Sequence, residues 1–364
     1  MWVLVKQRII KNKMSYANVN ISDESIDEVI KVKNLYKILD SIPNSFKLFN
    51  VCVNSYKWKY LPPNYDVYIL GFWHEVFDEN WFLRQYNKNF NSTFIILGDF
   101  SPNDLVLYER VEFFRILHWK YYVPNHPHVD INWKNKKFKI SSLSHYVNEY
   151  RFFVTAYLLN RDDVLFSYHN KTRQSTYLPD EKDGSTPIRD SLLEYKKYLS
   201  NNIFYIDDFV NDPSQNYNES MFHPAYANSL VNSINETKDI SYTDNFGILP
   251  GPYLTEKTWK PISTGTGLLF SAQMDTANTL ESAGFIFDYP WENSYSNLWQ
   301  DAEKIEQLLL TIDTILGMSH KDIENGIKYS CEYNASYIRS NQFVDYVDSA
   351  NQIELERLKE KYGI

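Results

Sequence analysis

The stretch Gly251–Gln273, GPYLTEKTWKPISTGTGLLFSAQ, runs a polar, helix-capable segment directly into an apolar one. TEKTWKPIST reads as a helix start, with Thr255 of a type that caps orphan N–H groups. GLLFSAQ is short and continuously apolar, which suits a strand buried on both faces. Parallel strands need a crossover, usually a helix, so this helix-then-buried-strand unit is the repeat from which an α/β sheet is wound.

The same alternation extends outward on both sides. SFKLFNVCV, YDVYILGFW and STFIILGDF read as strands, with WFLRQYNKN as a helix among them and SDESIDEVIKVKNLYKILDSI as a capped helix before them. Residues 123–137, VPNHPHVDINWKNKK, break the pattern with Pro124, Pro127 and a run of lysines, and read as a linker. FKISSLS, DVLFSYHN and ANSLVNSINET are further strands, NEYRFFVTAYLLNRDD a helix, and residues 170–225 a long polar region. TANTLESAGF is a short helix stopped at Gly284, and residues 301–317 form an amphipathic helix. The expected organisation is α/β: an N-terminal domain over 1–130, a C-terminal domain over 131–340, and a helical tail over 341–364. A chain of 364 residues is long for one core, which agrees with two domains.

Composition narrows the function classes. The net charge of −9 disfavours broad attraction to nucleic acid. Aromatic residues reach 16 %, which suits cores and also sugar or base sites; the same excess also follows from an AT-rich coding sequence. Cys52 and Cys331 are too few and too far apart for a disulfide framework or a metal knuckle. The opening MWVLVKQRIIKNK is apolar for only five residues before Lys6, too short for a signal or a membrane span. The expectation is a soluble, cytoplasmic protein with no membrane partner.

In α/β sheets ligands gather beyond the carboxyl ends of the strands. The polar residues that follow strands here are Gly98-Asp99, Tyr168 to Lys171 with Arg173, and Asn235-Glu236. The opening stretch adds a set of groups suited to a nucleoside diphosphate. A helix N-terminus at Thr255 supplies N–H groups to a phosphate. Lys257 supplies charge, Glu256 accepts from a ribose diol, and Lys260 sits one turn beyond Glu256, within pairing reach. Tyr253 offers a ring to a nucleobase. Pro261 and the STGTG run imply tight backbone packing beside the site. Read alone, the same stretch is also an ordinary capped helix with surface charges.

A longer segment, YLTEKTWKPISTGTGLLFSAQMDTANTLESAGFIFD, resembles the donor-binding stretch of the α1,3-fucosyltransferase family, and more closely the glycosyltransferase-like proteins of phages and large viruses. LVNSINET resembles the preceding strand, which brings Glu236 to the donor. LSHYVNEYRFFVTAYLL resembles the segment whose arginine faces the donor diphosphate, here Arg151. LGDFSPNDLVLYERVEFF resembles the stretch carrying the family's base, which falls on Asp99. Together the four blocks span roughly residues 95–290. The resemblance implies a GT-B architecture, two Rossmann-like domains facing a central cleft, and inverting, metal-independent transfer with no cofactor beyond the nucleotide-sugar. The family commonly carries Glu where Asp99 stands, and the donor-facing loops differ, so fucose is not implied.

Inversion needs a base for the acceptor hydroxyl. Asp99 is the first choice and Glu75, beside His74, its rival. A D-x-D metal motif is absent; FYIDDFV and RDDV come nearest and read as turns. The acidic, aromatic-rich chain favours a saccharide or other small acceptor. The viral resemblance keeps a hydroxymethylated pyrimidine in DNA as the alternative, with WKNKKFK and YHNKTR as its basic rim. A non-catalytic nucleotide-sugar or glycan-binding module is the reading from another class.

Overall fold

The computed structural model describes residues 48–52, 61, 63–72, 79–98, 110–115, 130–144, 149–168, 187–202, 224–235, 242–243, 247–248, 254, 256–271, 276–297 and 301–362. The chain forms two compact units. One comprises residues 1–121, 242–250 and 345–364; the other comprises 122–241 and 251–344. The expected helix over 22–42 lies outside the described residues.

The first unit holds four parallel strands: β1 (Leu48–Cys52), β2 (Val67–Phe72), β3 (Thr93–Gly98) and β4 (Val111–Arg115), side by side in chain order. β4 was not read from the sequence, because its two charged residues in five mask the apolar signal. Helix α1 (Glu79–Lys88) turns Phe82 onto the sheet, edge-on to Phe94, which in turn stacks on Tyr68. These rings are fully buried, and burial of such side chains contributes about 1.5–3 kcal/mol each. The amino edge is tied by Arg110, whose Nη1 donates to the carbonyls of Asn89 and Ser92 at 2.9 Å each. The chain leaves β2 at Phe72 and β3 at Gly98, which are register partners at the carboxyl edge.

The second unit holds β5 (Phe138–Ser144), β6 (Val164–Tyr168), β7 (Ser229–Asn235) and β10 (Gly267–Ser271), all parallel, in the spatial order β10-β7-β5-β6. A two-residue antiparallel ladder, β8 (Tyr242–Thr243) with β9 (Gly247–Ile248), belongs to the first unit. The helices of the second unit are α2 (Glu149–Leu158), α3 (Pro187–Leu193), α4 (Lys196–Asn201), α5 (Pro224–Asn228), α6 (Glu256–Ser263), α7 (Thr276–Ser282), α8 (Asp301–Gly317) and α9 (His320–Tyr337). A last helix, α10 (Asn341–Tyr362), follows. The core joins Ile140 and Val231 of the sheet to Phe152 and Phe153 of α2, Leu308 and Ile312 of α8, and Ile323 and Ile327 of α9. The protein is thus α/β with two parallel sheets, an arrangement compatible with Rossmann-like folds.

Two glycines end helices. At Gly265, φ is +63°; its N–H bonds the carbonyl of Ile262 at 3.1 Å, and the N–H of Thr266 reaches Pro261 at 3.0 Å. That pair of bonds is the Schellman arrangement, which needs a left-handed residue at this point. Gly284, at φ +96°, repeats it after α7. The tight packing anticipated in STGTG is real, since a Cβ at Gly265 would lie 2.2 Å from Ile131 Cδ1. It sits, however, where α6 ends and β10 begins, at the opposite end of α6 from Glu256 and Lys257.

The expected linker also changes character. From residue 130 on it is built into the second unit. Asn132 caps a short 3-10 turn, Trp133–Asn135, and Lys136 turns inward. Lys136 Nζ donates to the carbonyls of Ser229 (2.9 Å) and Tyr226 (3.3 Å) and to Thr266 Oγ1 (3.2 Å). Lys139 is also engaged, donating to the Leu316 carbonyl at 2.7 Å and pairing with Asp163 at 3.4 Å. The proposed basic rim in WKNKKFK therefore loses two of its lysines to structural bonds. RDDV is a turn, as read, but one that precedes β6: Asp163 has φ +62° immediately before Val164.

Candidate functional site at the carboxyl edge of the second sheet

Strand order identifies the edge to inspect. From β5 the chain crosses to β6 on one side, then passes back over β5 to β7 and on to β10. The winding direction reverses between β5 and β7. In doubly wound sheets ligands bind outside the carboxyl ends at such a reversal. The strands end there at Ser144, Tyr168, Asn235 and Ser271.

The two central strands are locked by polar groups. Ser141 and Asn232 are register partners, and Asn232 Nδ2 donates to Ser141 Oγ at 2.9 Å and to its carbonyl at 3.2 Å. Burying a polar group without a partner is costly, so this bonded pair ties β5 to β7. At the last residue of β10, Ser271 Oγ is buried and makes no hydrogen bond; so is Thr155 Oγ1 on α2.

Helix polarity brings positive ends to this edge. α2 follows β5 and leads to the amino end of β6, so it runs against the strands and its first turn lies at the carboxyl edge. α6 packs on β7 and β10 and ends at the amino end of β10, so its first turn lies at the same edge. Arg151 is in the first turn of α2 and Lys257 in the first turn of α6. Each helix N-terminus adds roughly half a positive charge. Arg151 is only 3 % exposed, whereas Lys257 is half-buried. Lys260, 5 % exposed, is buried on α6.

Of the residues singled out in the sequence, the fold brings Arg151, Glu256, Lys257 and the strand-end Tyr168 to one edge of one sheet. Lys260 lies one turn deeper. Glu236, Tyr253, Thr255 and Lys171, with His169 and Arg173, lie outside the described residues. So do Asp99, Glu75 and His74 in the first unit.

Sequence reasoning placed Lys136 in a basic rim and passed over Lys304. Lys136 is buried in the amino-side interior, where burial pulls its ammonium down to about 8. Its neighbour Cys331 is pushed up to about 12 by burial. Lys304, on α8, is 1 % exposed. A signal for it exists: position 304 falls in the stripe of Leu308, Thr311, Ile312 and Ile315, where an amphipathic helix places apolar residues. Among the described residues no group of three or more His, Cys, Asp or Glu converges as a metal site, and no helix is long and apolar enough to cross a membrane. Comparison with known proteins found no matching family model, no matching curated protein and no matching solved structure.

Proposed function

We propose that the protein is an inverting, metal-independent glycosyltransferase of GT-B architecture. It moves a sugar from a nucleoside-diphosphate sugar to an acceptor hydroxyl, with a saccharide or other small acceptor favoured. The observation that carries this reading is the carboxyl edge of the second sheet. There a winding reversal, two helix N-termini and the cations Arg151 and Lys257 meet.

The chemistry follows from charge. As the acceptor oxygen bonds the anomeric carbon, the bond to the diphosphate breaks and the leaving group gains negative charge. Preorganised positive groups offset that charge without reorganising. Lys257 and Arg151 take this role, with the N–H groups of α6 behind Thr255. Glu256 accepts from the ribose hydroxyls, Tyr253 stacks on the base, and Glu236, Tyr168 and Lys171 border the donor. A carboxylate takes the acceptor proton, Asp99 first and Glu75 as its rival.

The acceptor preference rests on the acidic chain and on Lys136 and Lys139, whose ammonium groups are committed to structural bonds. Hydroxymethylated pyrimidine in DNA stands as the alternative acceptor. A binding module would hold the donor but never release free nucleoside diphosphate.

The test is a thermal-shift screen of nucleoside diphosphates and their sugars without added metal. A ligand at a hundred times its Kd adds about 2.7 kcal/mol of stability. A shift with one nucleotide, lost in Lys257→Ala, supports the reading. No shift with any nucleotide defeats it.

A further inference from the structure

Lys304 is a buried cation outside the set discussed above, and the packing of α8 fixes its height in the fold. Lys139, at the amino end of β5, donates to the carbonyl of Leu316 near the end of α8. α8 therefore runs against the strands. Lys304 lies about 18 Å up the helix from Leu316, at 1.5 Å per residue. Ser144, the carboxyl end of β5, lies about 17 Å up the strand from Lys139, at about 3.3 Å per residue. The two are level, and α8 packs on both β5 and β10.

A second ruler agrees. On α2, Tyr157 hydrogen-bonds to Asp313 of α8, and Arg161 pairs with the same carboxylate at 3.3 Å. The two helices are parallel neighbours. Counting back from that contact, Arg151 lies about 9 Å up α2 and Lys304 about 14 Å up α8. Helical side chains lean toward the N-terminus, here toward the edge. Arg151 and Lys304, 3 % and 1 % exposed, thus enter the same edge from adjacent helices. Thr155 Oγ1, one turn beyond Arg151 on α2, and Ser271 Oγ, at the carboxyl end of β10, are buried and unbonded.

From this juxtaposition we infer that Lys304 is a further positioning residue of the site, a buried charge beneath the edge that draws in and orients a diphosphate group. The inference rests on the nucleotide-sugar reading for its biological ligand. Its physical content is narrower: a diphosphate is held more tightly because of the charge on Lys304. In a low-dielectric interior such a charge acts without direct contact. Lys257 is half-buried and Lys304 fully buried.

The experiment is isothermal titration of the full chain and of Lys304→Met and Lys304→Arg, without metal. The probes are inorganic diphosphate, a panel of nucleoside diphosphates and the matching nucleosides. Lys304→Met is expected to weaken the diphosphate probes by about tenfold or more, to leave nucleoside binding unchanged, and Lys304→Arg to stay within about threefold of the parent. Unchanged diphosphate affinity in Lys304→Met overturns the inference while the nucleotide-sugar reading stands. Equal weakening of nucleoside and diphosphate makes Lys304 structural and also overturns it. Lysine-dependent binding of inorganic diphosphate, with no nucleoside diphosphate bound, upholds Lys304 and defeats the nucleotide-sugar reading. Binding of neither defeats both. If Lys304→Met does not fold, hydrogen exchange on the parent chain decides. Slowed exchange at residues 301–309 on adding the bound diphosphate supports Lys304, and protection at 256–260 alone overturns it.

Discussion

Lys139 Nζ on β5 and the Leu316 carbonyl on α8 are joined by a 2.7 Å hydrogen bond, which pins the end of α8 to the amino edge of the second sheet. It satisfies one of the orphan carbonyls of a helix terminus with a cation, where the macrodipole favours one. The consequence is felt at the far end of α8, where the same polarity delivers Lys304 to the carboxyl edge.

Lys257→Ala should lower kcat/KM by about 10²–10³-fold, the loss typical when one preorganised group facing developing charge is removed. The half-buried position of Lys257 predicts an unchanged melting temperature without ligand. Steady-state kinetics alongside calorimetry checks this; an equal loss of stability would make the lysine structural.

Lys136 predicts a pH dependence of stability. Its ammonium is pulled down to about 8 from an ordinary value near 10.5. Above pH 8 the folded protein releases this proton while the unfolded chain keeps it, so stability rises with pH, by at most about 1.4 kcal/mol per unit. Cys331 works the other way. Its thiol is held up to about 12, so above about pH 9 the unfolded chain loses a proton that the folded protein retains, and stability falls. Urea titrations from pH 7.5 to 9.0 should show an ascending limb in the parent that is missing in Lys136→Met. Identical slopes would refute the assignment.

Gly265→Ala should destabilise by about 2 kcal/mol or more. A left-handed φ costs a non-glycine residue about 1–2 kcal/mol, and the new methyl meets Ile131 at 2.2 Å. Adding Ile131→Ala removes the collision but not the backbone strain. Denaturant midpoints of the two single variants and the double variant should therefore show a favourable coupling. Strict additivity would mean that Ile131 moves aside.

Asn334 on α9 imitates a neighbouring strand: Oδ1 accepts from the N–H of Ile286 at 2.8 Å, and Nδ2 donates to its carbonyl at 2.7 Å. Asn334→Ala orphans both backbone groups and should cost about 2–4 kcal/mol. Asn334→Asp keeps the acceptor and should cost less at neutral pH. A loss under about 0.5 kcal/mol for the alanine variant would show that water replaces the amide.

What could be read from residues alone was whatever depends on neighbours a few positions apart. The amphipathic period of DAEKIEQLLLTIDTILG specifies α8 from Asp301 to Gly317, and the apolar runs VYILGF and TFIILG specify β2 and β3. α3, α4 and α5 escaped, because they are short and lie in a polar region with no apolar stripe of useful length. The edge on which Arg151 and Lys257 meet depends on the order β10-β7-β5-β6. That order arises from pairings between strands far apart in the chain, which leave no local trace. Burial of Lys136 is equally non-local: it looks like a surface lysine in the chain and is interior because three acceptors wait for it, whereas Lys304 lies in a core stripe that the helical period of α8 already marks.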